Sequence, residues 1–289
     1  VNDYILSVLL GIVEGLTEFL PVSSTAHLRI TEALLHVDLA DPYWKMYTVV
    51  IQLGAILALL LLFLTRVVDL LRTFPKGERG DRTVWTHPIS LIAIAFVVTA
   101  IPAFLLHKLV DKHLESLTII AWALLIGGVI MWIVDIWSTA NDPRTRSIED
   151  ISVLQAVWVG FCQIFSAVFP GTSRSMSTIT GGQIVGMTRP TALEFSFLLS
   201  IPIMVTSTGY ELLRTLHPKA GEFGETAVPL VMTTHRWIVL FIGLFISFLV
   251  ALGVVDWFLN WVRSHGFGVF AAYRIVLGIV LLIWGKHIH

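Results

Sequence analysis

The sequence predicts an all-α integral membrane protein of six transmembrane helices and two re-entrant helical hairpins in an inverted-topology repeat. Three observations carry that expectation. The first is composition. Of 289 residues, 56% are hydrophobic and 13% charged, against about 25% charged in a typical soluble domain, and the mean hydropathy is +0.82. The second is segmentation. Six stretches reach the ~20 apolar residues that a bilayer crossing requires: Pro42–Thr65, Thr86–Leu106, Leu117–Ser138, Pro190–Leu213, Arg236–Trp261 and Phe267–Gly285. The third is a pair of apolar stretches, 3–35 and 151–185, each interrupted near its middle by proline and small polar residues. Half of either stretch is too short to cross, so each is expected to enter and leave by the same face. Irregular backbone at that depth is tolerated only where protein or a cavity surrounds it.

The two broken stretches organise the rest. Shifting the second half by 149 residues aligns Gly11 with Gly160, Glu14 with Gln163, Pro21 with Pro170 and Ser24 with Ser173. A shift of 150 aligns Gly128 with Gly278, and one of 142 aligns Gln52-Leu53-Gly54 with Glu194-Phe195-Ser196. One membrane domain over 1–289 follows, with repeat one at 1–140 and repeat two at 150–289. Each repeat is one hairpin plus three crossings. An odd number of crossings inverts the second repeat, an arrangement whose sites lie where broken helices meet near the midplane.

Orientation follows from basic residues in the short loops. Arg66, Arg72, Lys76, Arg79, Arg82, Arg144, Arg146, Arg189 and Arg263 fall on one side, and Lys45, Lys108, Lys112, Arg214, Lys219, Arg236 and Lys286 on the other. The first group is expected to be cytoplasmic, which places both termini outside. Trp44, Trp85, Trp137, Trp237 and Trp261 sit at segment ends, as interfacial anchors do. Tyr4–Leu20 lacks a basic leader and carries Glu14 and Glu18, which argues against a cleavable signal. The net charge of −1 gives no reason to expect nucleic acid. The single cysteine, Cys162, reads as a small buried hydrophobe, and no function is placed on His287 or His289.

Glu14 and Glu18 are four residues apart and share a helix face. In hydrocarbon such a pair requires a cation, a shared proton or a basic partner such as Arg174 or Arg274. Pro21 ends the first half-helix, and Ser23, Ser24 and Thr25 are capping residues for the next. Ser24 and His27 fall on one face, the general arrangement of a hydroxyl beside its base. The second break reads Pro170-Gly171-Thr172-Ser173-Arg174-Ser175. It supplies another helix N-terminus, a guanidinium suited to phosphate oxygens and Thr178 one turn further on. Together the breaks predict a clamp for a pyrophosphate. Gln52 and Glu194 are expected to brace the hairpins, and Arg274 to pair with a carboxylate. Asp135, Asp256 and His235 are expected at the interfaces.

At these residues the chain resembles the bacterial undecaprenyl-diphosphate phosphatase family of the bacitracin-resistance type. The resemblance rests on G-x-x-E-G-L-T-E-F-L-P-V-S-S-T-x-H at 11–27, I-Q-L-G at 51–54, P-G-x-S-R-S-x-x-T at 170–178, E-F-S-F-L-L at 194–199 and Y-R at 273–274. It implies an enzyme of the bacterial inner membrane, often dimeric. Such an enzyme hydrolyses a C55 polyprenyl diphosphate to the monophosphate with a divalent cation, Mg²⁺ or Ca²⁺, and so recycles the carrier for cell-wall polymers. Carried over by motif, Ser24 is the nucleophile, His27 its partner, and Glu14 and Glu18 the acidic, metal-binding pair. Arg174 with Ser173 and Thr178 binds phosphate, joined from the residue reading by Ser23, Thr25, Gly171 and Thr172. Ala26, Met176 and Thr48 depart from the family's usual residues, the first two adding bulk beside the site. The competing expectation is a lipid-phosphate transporter using the same clamp, because broken helices in inverted repeat also build transporters.

Overall fold

A computed structural model describes residues 2–38, 41–111, 116–216 and 230–284. Lys112, Lys219, Lys286, His287 and His289 lie outside the described residues.

The described chain is helical, with one isolated bridge, Thr145 to Met187, and no sheet. The first hairpin is α1 (Asp3–Thr17) and α2 (Ser24–Leu34), separated by a non-helical tip. The expected first crossing is two helices, α3 (Pro42–Val50) and α4 (Gln52–Leu62), which form one apolar span of 21 residues. Asp41 caps α3 and Pro42 opens it, where a missing N–H costs nothing. The loop expected after this span begins instead as α5 (Leu64–Thr73). Its apolar residues line one face and Arg66, Asp69 and Arg72 the rest, so a helix suits this interfacial stretch better than a loop.

Four longer helices agree with the expected crossings within a few residues. They are α6 (Pro88–Asp111), α7 (Leu117–Ala140), α10 (Arg189–Leu216) and α11 (Thr234–Ser264). With Pro42–Leu62 they make five spans long and apolar enough to cross a bilayer. The last helix, α12 (Gly268–Trp284), has 17 residues. The second hairpin is α8 (Val153–Val168) and α9 (Arg174–Ile184). A capping box between Ser152 and Gln155 opens α8, and the Gln155 amide also donates to Val185 O at 2.8 Å. That bond closes the hairpin where it began.

Polarity is arranged inside out relative to a soluble protein. Glu14, Gln163 and Arg274 are buried, whereas Leu105, Ile133, Phe241 and Ile283 are more than half exposed. An outward apolar girdle around a polar interior is what lipid selects, and the protein is a multi-pass membrane protein. Asp135, expected at an interface, is instead buried at the junction of four elements. Arg189 reaches it at 2.7 and 2.9 Å, Gln183 at 3.1 Å and Phe267 N at 2.9 Å. Its carboxylate thus ties α7 to α9, α10 and the start of α12. His235 is exposed and pairs with Asp3 at 2.9 Å.

Helices α4 and α11 pack with backbones in contact. A Cβ on Gly54 would collide with Leu244 O. Between α6 and α10 no such closure occurs, and a cavity lies there.

Candidate active site

Both tips place a serine in a backbone region that L-residues seldom adopt. Ser23 has φ 75° and Ser173 φ 72°. Positive φ outside glycine is uncommon and costs roughly 1–3 kcal/mol. The same bonds hold it at each tip. Ser23 Oγ accepts from Ala26 N and Ser173 Oγ from Met176 N, both at 3.3 Å. The serine carbonyls accept from His27 N at 3.3 Å and Ser177 N at 3.1 Å. Ser23 therefore corresponds to Ser173 and Ser24 to Arg174. This corrects the expected match of Ser24 with Ser173. Proline still matches proline at the shorter offset, so the second tip holds one extra residue, and Gly171 there has φ 91°.

The tips touch. Arg174 Nη2 donates to Glu18 Oε1 at 2.8 Å, and Ser175 Oγ donates to Leu20 O at 2.9 Å. Glu18 Oε2 accepts from Ser24 Oγ at 2.5 Å. One carboxylate thus holds the Ser24 hydroxyl of the first tip and the guanidinium of the second. Arg174 Nη1 has no partner among the described residues, which leaves that donor for a ligand.

This triad borders a cavity of about 420 Å³ between α6 and α10. Glu18, Ser23, Ser24, Thr25, Gly171, Ser173 and Arg174 form its polar floor. Phe96, Ala103, Phe104, Ile203 and Met204 line its apolar walls, with Tyr210 beside them. A polar pocket continued by an apolar slot suits a charged headgroup on a hydrocarbon chain.

Some expected residues stand elsewhere. His27 does not pair with Ser24 and does not line the cavity. Its Nδ1–H donates to Ser23 O at 2.7 Å, which leaves Nε2 of the neutral ring to accept from Tyr273 OH at 2.6 Å. Thr178 and Thr172 also lie off the lining. Thr178 Oγ1 is bonded to Arg174 O at 3.0 Å and to Ser196 Oγ at 2.5 Å, which ties α9 to α10. Glu194 pairs with Arg66 at 2.8 Å and does not line the cavity, whereas Gln52 does. Gln52 and Glu194 therefore are not matched braces. Arg274 meets backbone carbonyls rather than a carboxylate.

Sequence reasoning missed five polar side chains of the cavity: Thr99, Gln163, Ser166, Thr206 and Ser207. Gln163 and Thr99 line it and meet at 3.2 Å, and Ser207 faces it from α10. Gln163 was visible as the counterpart of Glu14. Thr99 is a single hydroxyl in an apolar helix and carries no local signal, whereas Ser207 lies in the run Thr206-Ser207-Thr208, a hydroxyl cluster within a span that could have marked it.

Glu14 is fully buried, neither of its oxygens meets a donor among the described residues, and it does not line the cavity that Glu18 borders. A bare carboxylate beside a second one fits a hard divalent cation, which takes oxygen ligands. Among the described residues no three His, Cys, Asp or Glu side chains gather to hold a metal alone. The remaining ligands would have to be phosphate oxygens and water.

A buried carboxylate, hydroxyl and guanidinium at the meeting of two helix N-termini define a polytopic membrane protein built to handle a phosphate-bearing lipid. Residues 7–280 match the family described as bacitracin resistance protein BacA, and the chain belongs to that family. It is 58% identical over 283 residues to the undecaprenyl-diphosphatase of Koribacter versatilis (strain Ellin345), covering 98% of each chain. It is 41% identical to the undecaprenyl-diphosphatase of Rhizobium etli (strain CIAT 652), covering 97% of this chain and 96% of the relative. The undecaprenyl-diphosphatase of Caldanaerobacter subterraneus subsp. tengcongensis is 37% identical, with 95% and 93% covered.

Proposed function

We propose that the chain is an undecaprenyl-diphosphatase, releasing inorganic phosphate from the C55 lipid diphosphate and leaving the monophosphate. The observation that carries this is the Ser24–Glu18–Arg174 triad at one end of an apolar cavity. A transporter needs to bind a phosphate but has no use for a hydroxyl held on a carboxylate.

In this reading Ser24 Oγ attacks the terminal phosphorus while Glu18 takes its proton. The bond from that phosphorus to the bridging oxygen breaks, and the lipid monophosphate leaves on the bridging oxygen with the proton returned by Glu18. Glu18, again the base, then takes a proton from water as the water attacks the phosphoserine; the bond from phosphorus to Ser24 Oγ breaks, Oγ leaves with that proton and inorganic phosphate is released. Arg174 Nη1 and the N-termini of α2 and α9 stabilise the equatorial oxygens of the transferring group, the main catalytic task in phosphoryl transfer. Glu18 replaces His27 as base on geometric grounds, since a base must reach the proton it abstracts. Glu14 and Glu18 would hold the divalent cation, which when bound neutralises charge on the diphosphate.

The architecture supporting this is the Gly268–Trp284 helix as a sixth crossing and 3–35 and 151–185 as re-entrant hairpins in two inverted repeats. The basic loop faces the cytoplasm of a bacterial inner membrane and both termini lie outside. The cavity extends along the C-terminal halves of α6 and α10, to Phe104 and Tyr210, which favours entry of the diphosphate from the outer face. The family resemblance extends the proposal to a homodimer, checked by light scattering in detergent.

The test is phosphate release from polyprenyl diphosphate by purified protein in detergent micelles, where no second compartment exists. A protein that binds the lipid without releasing phosphate is a transporter, and the proposal fails. Excess EDTA should abolish turnover, and full activity in its presence removes the metal.

A further inference from the structure

Arg274 is a fully buried cation with no carboxylate partner among the described residues. Its guanidinium instead collects carbonyls from three directions. Nη1 donates to Pro21 O at 3.2 Å, and Nη2 to Gly171 O at 3.2 Å, Thr172 O at 2.9 Å and Ala123 O at 3.1 Å. Pro21 belongs to the first tip, Gly171 and Thr172 to the second, and Ala123 to α7. One side chain from α12 therefore bonds both breaks.

The choice of carbonyls matters because a trans peptide is planar, with its C=O and N–H pointing opposite ways. Fixing a carbonyl toward Arg274 fixes the following N–H away from it. Val22 N–H is spent on Leu20 O at 2.8 Å and Thr172 N–H on Phe169 O at 3.2 Å. Ser173 N–H has no acceptor among the described residues. Ser173 lines the cavity. Its φ of 72° is the strained conformation that needs outside support. The α7 helix leaves room for the guanidinium by presenting Gly127, where a Cβ would stand 2.6 Å from Arg274 Nη2 and 2.7 Å from Met176 Cε.

We infer that Arg274 is a positioning residue that pins the two tips together and aims the Ser173 N–H at the phosphate. It acts through the backbone and touches no substrate. The inference rests on the phosphatase reading for its kinetic consequences, but the phosphate-binding geometry stands by itself.

The experiment compares wild type with Arg274→Lys, which keeps the charge and loses the fork that can hold four carbonyls. Three readouts are taken in detergent: turnover of polyprenyl diphosphate, inhibition by orthovanadate, and the rise in Tm on adding inorganic phosphate. The expected result is a kcat lower by about tenfold or more with KM within about threefold, and orthovanadate inhibition weaker by about tenfold. The phosphate-induced rise in Tm should shrink while the ligand-free Tm stays within a few degrees. Wild-type kcat and wild-type orthovanadate inhibition in Arg274→Lys would overturn the inference. So would a fall in kcat with orthovanadate inhibition unchanged, which marks a merely structural arginine. If Arg274→Lys does not fold, Gly127→Ala presses one methyl on the same guanidinium and should give the same pattern. Wild-type behaviour there overturns the inference. A wild-type protein that releases no phosphate sinks the phosphatase reading alone, and the phosphate thermal shift in the two variants still decides the role of Arg274.

Discussion

At the first tip the residue after the left-handed serine is Ser24, and at the second it is Arg174. Four residues after that serine stand His27 and Ser177. Both bond back to its carbonyl, at 2.7 and 3.0 Å. One turn before the break the first hairpin has Glu14, and the second has Gln163. The scaffold is therefore shared down to its capping bonds, while the reacting groups differ position by position. Two copies of one turn, each opening a helix N-terminus, would suit a phosphate. In the proposed reading, the acid and hydroxyl of one copy and the cation of the other would turn that grip toward hydrolysis. The comparison also shows which residues are scaffold. His27 resembles a reacting group in sequence, but it occupies a place that serine fills equally well in the other copy. Arg274 has no such counterpart. At the offset matching Gly128 with Gly278 its place is taken by Leu124.

If the division of labour holds, the deepest loss comes from the first tip's acid. Glu18→Gln keeps an acceptor for Arg174 but cannot take a proton from Ser24. Turnover should fall by about a thousandfold, within the range general-base removal produces. Ser24→Ala should fall nearly as far. A phosphate-release assay that finds either variant within tenfold of wild type would falsify the assignment of nucleophile and base. Next in size is the second tip's cation. Arg174→Lys retains charge but loses the geometry that lets Nη2 hold Glu18 while Nη1 stays free for phosphate. A loss of about a hundredfold in kcat is expected, together with weaker orthovanadate inhibition. A variant that loses KM alone would mean Arg174 binds the ground state and the transition state equally.

His27 separates the two explanations of its presence. As a brace on Ser23 it should tolerate His27→Ala at a cost of about tenfold, with the pH–rate profile unchanged in shape. As an acid or base it should remove one limb of that profile. Tyr273→Phe, which deletes the hydroxyl on Nε2, should cost less than His27→Ala.

How much of this was legible follows from what each signal depends on. Five of the six expected crossings were legible as apolar spans because a span needs length and apolarity, both local properties, and the boundaries of α6, α7, α10 and α11 came within a few residues. The break within Pro42–Leu62 was not, because no proline or glycine marks Ile51. Helix α5 was hidden because its charges read as a loop. In the site, Glu18, Ser24, Ser173 and Arg174 were legible from a repeated motif. The Ser24–His27 pairing failed for a geometric reason. Residues three apart share a face, but Ser24 is the first residue of α2, where its hydroxyl turns back to Glu18 across the tip. Arg274 was assigned a carboxylate because a buried arginine is expected to have one. Carbonyls freed by two broken helices are invisible in a sequence, since every residue has one.

The smallest and most pointed change tests whether the asymmetry is required. Gln163 is buried, lines the cavity and accepts from Thr99 Oγ1 at 3.2 Å. Gln163→Glu restores at the second hairpin the acid that its counterpart has in the first, with nearly the same shape and the same acceptor for Thr99. The fold should survive, because the contact that packs α8 on α6 keeps its oxygen. The new charge would face the substrate phosphates from the side that otherwise contributes Arg174. Binding should weaken, with KM for polyprenyl diphosphate raised about fivefold, close to 1 kcal/mol, and kcat held within about twofold. A variant with unchanged KM would mean that the second hairpin tolerates an acid, and that its cationic character resides in Arg174 alone. A variant with a lower KM would mean that the added carboxylate recruits a cation to the diphosphate, placing metal binding on both hairpins instead of the first.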